Sequence, residues 1–369
     1  MNAKDKIIQL LKGTGIEING SNLWDIKVNN SKVFARILAQ GSLGFGNAYM
    51  DGWWDCDRID IMMEKIILAN LHKKLKTWST LGAIIKAKLI NHQSTNRAKQ
   101  VGEKHYDLGN ELYGVMLDDL LNYSCGYWKK TDRLEEAQIA KLELICQKLQ
   151  LRPGMKVLDI GCGWGGFAKY ATGNYGVEVV GITISKEQCA LAKEICKDLP
   201  IEIKLQDYRT LTDKFDAIVS IGMFEHVGYK NYKTFMKVVH RLLKDNGLFL
   251  LHTIGGNTSV HNGDPWIDKH IFCNGMLPSP KQVTTAIEGL FTLEDWHNFG
   301  ADYDKTLMAW HQNFTNNWEK IKHLYDDRFY RMWNFYLLTC AGSFRARKNQ
   351  LWQIVLTKQG QVGGYQSIR

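Results

Sequence analysis

The sequence predicts an α/β protein, a doubly wound Rossmann-like sheet preceded by a small, mostly helical N-terminal domain. Three observations predict it. Residues 155–168 read as an apolar strand (157–160), a turn holding Gly161, Gly163, Gly165 and Gly166, then a helical pattern towards Tyr175. Downstream, apolar runs near 177–182, 201–206, 215–220 and 247–253 alternate with helical periodicity, as a parallel sheet requires. Upstream, residues 1–77 show helical apolar spacing without that alternation.

Glycines at a strand-to-helix turn let a ligand approach bare backbone at a helix N-terminus. Such turns serve nicotinamide dinucleotides, other nucleosides or plain packing. A dinucleotide site wants a carboxylate about 20 residues on for the ribose. Here the second strand ends in Gly181-Ile-Thr183-Ile-Ser185, without one, and no Gly-Lys-Ser/Thr follows the turn as in a phosphate-binding loop. The pattern favours S-adenosylmethionine, which carries no phosphate. Asp159 would face its cationic methionine end, Thr183 and Gln188 the ribose or adenosine, and Asp207, after the third strand, the adenine amino group. A methyltransferase fold of class I is the corresponding architecture.

Composition narrows the class. With 45% hydrophobic residues and 5 prolines in 369, the chain is globular and long enough for one large domain plus a small one. Its 8 cysteines stand apart with no C-x-x-C pair, which argues against a disulfide framework and against zinc. No apolar leader opens the chain and no run approaches the ~18 residues of a membrane span, so a cytoplasmic location is expected. The net charge is +9, and residues 1–100 hold 12 Lys and 3 Arg against 6 Asp and 2 Glu, a balance of +7. Residues 71–100 contain 7 basic residues and no acid. Charge alone leaves three readings level: nucleic acid, an anionic membrane surface, or a solvated helix face.

Taken in order, residues 4–11, 33–40 and 59–71 read as helices of the N-terminal domain (1–77), with a glycine- and aromatic-rich loop between at 41–54. Residues 78–90 place Leu81, Ile84, Ile85 and Leu89 on one face, a candidate interfacial or linker helix, and 78–100 forms a basic linker. The larger domain spans 101–369. A strong amphipathic helix at 134–149 leads into the first strand, residues 264–280 break the alternation as an inserted lid or substrate loop, and 291–299 and 351–357 supply the last strands. The tail after Lys358 reads as frayed.

In an open α/β sheet, ligands collect at the carboxyl ends of the strands. Glu225, His252, Cys125 and Tyr303 are all placed to converge there. Singly, each has a plain structural explanation: a helix cap, a satisfied core histidine, a small buried hydrophobe. A Cys–His protease would need an oxyanion hole that the sequence does not announce.

These residues sit in motifs that resemble the cyclopropane-fatty-acyl-phospholipid synthases, a bacterial methyltransferase-fold family. The match runs from Gly41-Ser-Leu-Gly to Leu356 through Tyr-Met-Asp-Gly-Trp-Trp, His-Tyr-Asp-Leu-Gly-Asn, Tyr-Ser-Cys-Gly-Tyr-Trp, Leu-Asp-Ile-Gly-Cys-Gly-Trp-Gly-Gly, Gly-Met-Phe-Glu-His-Val-Gly and Leu-Leu-His-Thr-Ile-Gly. The resemblance implies methylene transfer from S-adenosylmethionine to the cis double bond of an unsaturated phospholipid acyl chain, through a carbocation, with bound bicarbonate as the base. Carried over by motif, the bicarbonate cage is Cys125, Glu225, His252, the backbone N–H of Ile254, and Tyr303. The cofactor set is Tyr123, Ser124, Gly161, Gly163, Thr183, Gln188, Asp207, Tyr208 and Ile221, with Tyr208 stacking on adenine, and Asp159 adds to it. Cys340 matches a position once suspected of nucleophilic catalysis; a mechanism without a covalent enzyme step gives it a structural role instead. No metal is implied.

The resemblance also assigns the basic half to anionic phospholipid headgroups through residues 71–100, on the inner face of the cell membrane, and implies a homodimer. An RNA methyltransferase of the same fold and a methyl-branching lipid methyltransferase are the enzymatic rivals. A lipid-binding protein that merely keeps the fold is the non-enzymatic one.

Overall fold

The computed structural model describes residues 1–71 and 109–369. The 78–90 segment, most of the basic 71–100 stretch and His105-Tyr-Asp lie outside the described residues. Two compact units emerge. The first comprises residues 1–71, His261–Cys273 and Tyr303–Asn349; the second comprises residues 109–260, Asn274–Asp302 and Gln350–Arg369. Stretches 261–273 and 303–349, which the sequence reading gave to the larger domain, thus pack with the N-terminal helices.

The reason is visible in the first unit. Arg345, near the end of the Asp327–Arg345 helix, bonds Asp60 at 2.8 Å and Asp304 at 2.8 Å from its two sides. Gly342 on the same helix lies against the Ile59–Leu68 helix so closely that a Cβ would stand 2.3 Å from the Asp60 carbonyl oxygen. The strands β1 (Lys27–Val28) and β2 (Trp54–Asp55) pair antiparallel beside these helices.

Two expectations change here. The glycine-rich 41–54 stretch is not a loop: Ser42–Met50 is a helix. Gly44 and Gly46 inside that helix serve close approach and not turning, since a Cβ on Gly46 would meet the Trp266 ring at 2.4 Å. Trp266 itself, 1% exposed, belongs to the Pro265–His270 helix, whose N-cap Asp264 accepts from the amides of Trp266 and Ile267. Part of the supposed lid is therefore packed core of the first unit.

In the second unit, β3 (Lys156–Ile160), β4 (Glu178–Thr183), β5 (Ile201–Leu205), β6 (Phe215–Ile221), β7 (Leu243–Gly256), β8 (Thr292–Asn298) and β9 (Asn349–Thr357) form one sheet ordered β5-β4-β3-β6-β7-β9-β8. Strands β5 to β7 in that order are parallel, and β8 pairs antiparallel with β9. Alternation explains the layers. Leu158, Ile160, Val180, Ile182 and Ile218 join one core with the Tyr232–Leu242 helix, while Val157, Val179, Ala217 and Val219 join another with the Leu134–Lys148 and Gly166–Tyr175 helices. The strand order reverses between β3 and β6, which opens a crevice at their carboxyl ends.

The tail is not frayed. Arg369 grips Asp295, Ser367 donates to Asp295 at 2.9 Å, and the Tyr365 hydroxyl donates to the Lys148 carbonyl at 2.9 Å. Among the described residues, no helix is long and apolar enough to cross a membrane.

Candidate active site

A cleft occupies the β3/β6 reversal. Tyr123, Ser124, Asp159, Gly161, Gly163, Thr183, Gln188, Asp207, Tyr208 and Ile221 all line it. Gly161 has φ +87°, and a Cβ there would lie 2.7 Å from Met223, so a side chain is excluded by conformation and by space. Thr183 Oγ1 donates to Gln188 Oε1 at 3.1 Å, and Ser185 caps the Lys186–Ile195 helix by accepting from the Gln188 amide at 3.3 Å. The two polar groups that follow β4 are therefore held to one another before any ligand arrives. Asp207 is held by Arg209, whose amide and Nε donate to Oδ1 at 3.0 and 2.8 Å. That partner was not anticipated. Tyr208 packs edge-on against Phe235 at 5.2 Å, and burial pushes its hydroxyl up to about 12.

Asp159 is 1% exposed, and its Oδ1 has no hydrogen-bond partner among the described residues. Burial pushes its carboxyl up to about 7, with Lys141 acting the other way. A buried carboxylate oxygen without a donor calls for a cationic ligand.

Beside the cleft, β6 and β7 bring a second set together. Ile221, at the end of β6, is paired in register with His252 of β7, and the Gly222 amide donates to the His252 carbonyl at 2.9 Å. Glu225 follows in the Phe224–His226 turn, and its Oε1 accepts from the Ile254 amide at 2.6 Å. Burial raises the Glu225 carboxyl to about 7. Its Oε2 and the Nε2 of His252 are buried without a hydrogen-bond partner among the described residues. His252 Nδ1 faces Gln353 Nε2 at 3.3 Å, and burial holds its pKa well below the usual histidine range, so the ring is neutral. A neutral ring beside an amide donor accepts at Nδ1 and carries its proton on Nε2, the nitrogen left without a partner.

Cys125 is fully buried, with Sγ 3.2 Å from the Gly126 carbonyl oxygen. Tyr303 and Cys340 belong to the first unit. Tyr303, in the Ala301–Ile321 helix, packs its ring 4.5 Å from Phe344 and 6.0 Å from Trp310. Burial pushes the Cys340 thiol up to about 12, which suppresses the thiolate that a nucleophile needs.

Sequence reasoning missed Lys141, a fully buried cation whose Nζ donates to Asn122 Oδ1 at 2.8 Å and Ser124 Oγ at 3.0 Å. On an amphipathic helix it reads as one more solvated charge. The signal that could have found it is its position between Gln138 and Leu142, on the apolar side of the helix.

Comparisons with known proteins show the family. The family model described as mycolic acid cyclopropane synthetase matches residues 92–354. The chain is 56% identical over 351 residues to the cyclopropane-fatty-acyl-phospholipid synthase of Escherichia coli strain K12, covering 95% of this chain and 92% of that one. To cyclopropane mycolic acid synthase 2 of Mycobacterium tuberculosis it is 35% identical over 280 residues, 69% of this chain and 93% of the other. Among solved structures, the cyclopropane synthase MmaA2 from Mycobacterium tuberculosis superposes with a TM-score of 0.67 at 32% identity, covering 70% of this chain and 98% of that one. A mycolic acid cyclopropane synthase complexed with SAH and CTAB gives 0.66 at 34% identity, covering 70% of this chain and 98% of its own.

Proposed function

The chain belongs to the cyclopropane synthase family, and we infer from that premise that it transfers a methylene group from S-adenosylmethionine to a double bond in an unsaturated phospholipid acyl chain, closing a cyclopropane ring. The observation that carries the reading is the buried acid–histidine pair, Glu225 and His252, beside a cleft whose own carboxylate, Asp159, has an oxygen, Oδ1, without a hydrogen-bond partner among the described residues.

The residues fit the methyl donor. Asp159 would meet its cationic methionine end, Thr183 and Gln188 its ribose, and Tyr208 and Asp207 its adenine. Bound S-adenosylmethionine supplies an electrophilic methyl group. An alkene is a poor nucleophile, so the chain's task is alignment and exclusion of water. The carbocation that follows on the acyl chain must lose a proton before water quenches it.

The pair also fits bicarbonate as the base. His252 Nε2–H would donate to the anion, and Glu225 Oε2 would accept from its hydroxyl, which keeps the anion oriented. The Ile254 amide, now donating to Glu225, would be shared with it. Cys125, of the same unit, completes the proposed cage. We assign to Cys340 no chemical step.

Anionic headgroups would attract residues 71–100 by roughly 1 kcal/mol per cation near the surface. The protein would thus work peripherally at the inner membrane face, with residues 1–77 as the docking domain, as a homodimer. The test of the base is to follow ring formation on unsaturated phospholipid vesicles in carbon-dioxide-free buffer, with and without added bicarbonate. A rate restored by bicarbonate supports the cage; a rate indifferent to it removes bicarbonate from the mechanism.

A further inference from the structure

Lys141 is used by no step above, yet it is fully buried beneath the cleft. It lies on the Leu134–Lys148 helix, whose Leu142 and Ile145 pack against the face of the sheet that carries Val157. Asp159, two residues beyond Val157 on β3, projects to that same face. The 122–127 segment is laid along the helix by several bonds. Gln138 Nε2 donates to the Ser124 carbonyl at 2.9 Å and the Asn122 carbonyl at 3.3 Å, and the Tyr127 amide donates to the Ala137 carbonyl at 2.8 Å. Asn122 is fixed from its other side by Asp118, which accepts from its amide at 2.9 Å and from Nδ2 at 2.8 Å.

We propose that Lys141 is a positioning residue for the methyl donor: its ammonium fixes the Asn122 and Ser124 side chains, which line the same cleft as Asp159. The inference rests on the reading of the cleft as the S-adenosylmethionine site. Two features support it. A lysine without exposed surface is held, among the described residues, by two oxygens, both from residues that line the cleft, so its desolvation is offset through them. Its charge also opposes the burial that keeps Asp159 protonated, so the same ammonium prepares the carboxylate for a cationic ligand.

The action runs through Ser124 and Asn122, so it should appear in donor affinity and not in turnover. Lys141→Met keeps an unbranched side chain one atom shorter and removes its charge and donors. With the variant folded by circular dichroism, the KM for S-adenosylmethionine and the Kd for S-adenosylhomocysteine are expected to rise at least about tenfold, the size of a lost charged hydrogen bond, while kcat stays within about twofold. Ser124→Ala is expected to raise KM in the same direction, and the double variant to be no worse than Lys141→Met alone. An unchanged KM in a folded Lys141→Met, a loss confined to kcat, or additive effects in the double variant would overturn the proposal. Where Lys141→Met does not fold, Lys141→Gln, which keeps a neutral donor and loses the charge, is read in its place: a raised KM supports the role and an unchanged one overturns it. Wild-type protein that fails to bind S-adenosylhomocysteine would overturn the cofactor reading instead.

Discussion

Glu225 and Ile254 are joined by a 2.6 Å hydrogen bond from backbone amide to carboxylate, across 29 residues of sequence. This bond anchors one oxygen of Glu225 and leaves Oε2 buried and, among the described residues, without a hydrogen-bond partner, on a carboxyl raised to about 7 by burial. His252 lies two residues before Ile254 on the same strand, so both face one side of the sheet. An acid near its neutral point and a neutral histidine suit a site that holds and orients a small anion in an apolar setting.

Asp159 gives a pH prediction. Its folded carboxyl sits at about 7, whereas an unfolded aspartate titrates near 4. Between those values the folded state binds more protons, so this group's contribution to stability falls as pH rises through about 4 to 7. His252, His270 and His297, all held below the usual histidine range by burial, act with the opposite sign, so the difference between wild type and Asp159→Asn is what is read. That difference in thermal midpoint is expected to move in favour of Asp159→Asn as pH rises from about 5 to 8. S-adenosylhomocysteine should narrow it by giving the carboxylate a cationic partner. A pH-independent difference would contradict the assignment.

Asp295 should be costly to remove. Its carboxylate stands 3.4 Å from Lys148, whose side chain has no exposed surface, and it also holds Arg369 and Ser367. Asp295→Ala strands a buried cation and is expected to cost about 3–5 kcal/mol in chemical denaturation. Arg369→Ala should cost less, about 1 kcal/mol, because that side chain is 38% exposed. Equal costs would show that the buried lysine is not the reason.

Gly46→Ala tests the packing of the first unit. The added methyl would lie 2.4 Å from a Trp266 ring that is itself buried, so a loss of about 1–3 kcal/mol is expected. Trp266→Phe in the same chain should relieve part of it. Unchanged stability of Gly46→Ala would mean that the two helices separate freely.

Much of this was legible in the sequence because it depends on local period. The glycine turn at 161–166, the strands, and Asp159, Thr183, Gln188 and Asp207 near their ends follow from spacing along the chain; Tyr123, Ser124, Tyr208 and Ile221 came from the family resemblance, and all of them line one cleft. What was not legible depends on partners far away in sequence. The 41–54 stretch reads as a loop because its glycines are usually turn residues, while here Gly46 makes room for Trp266, 220 positions on. The tail reads as frayed because its anchor, Asp295, is 74 residues from Arg369. Lys141 was passed over because burial of a charge is invisible until the segment that covers it is known.

The central claim is methylene transfer to a lipid under control of the Glu225 site. Its most direct measurement is mass spectrometry of phospholipids after incubating unsaturated vesicles with the protein and S-adenosylmethionine, beside Glu225→Gln. The glutamine keeps an oxygen for the Ile254 amide and loses the ionisable group. Wild type is expected to add one CH2 with loss of the double bond, and Glu225→Gln to be slower by about 100-fold or more while still binding S-adenosylhomocysteine. Wild-type protein that binds S-adenosylhomocysteine yet leaves the lipids unchanged, or a Glu225→Gln protein as fast as wild type, would contradict the account.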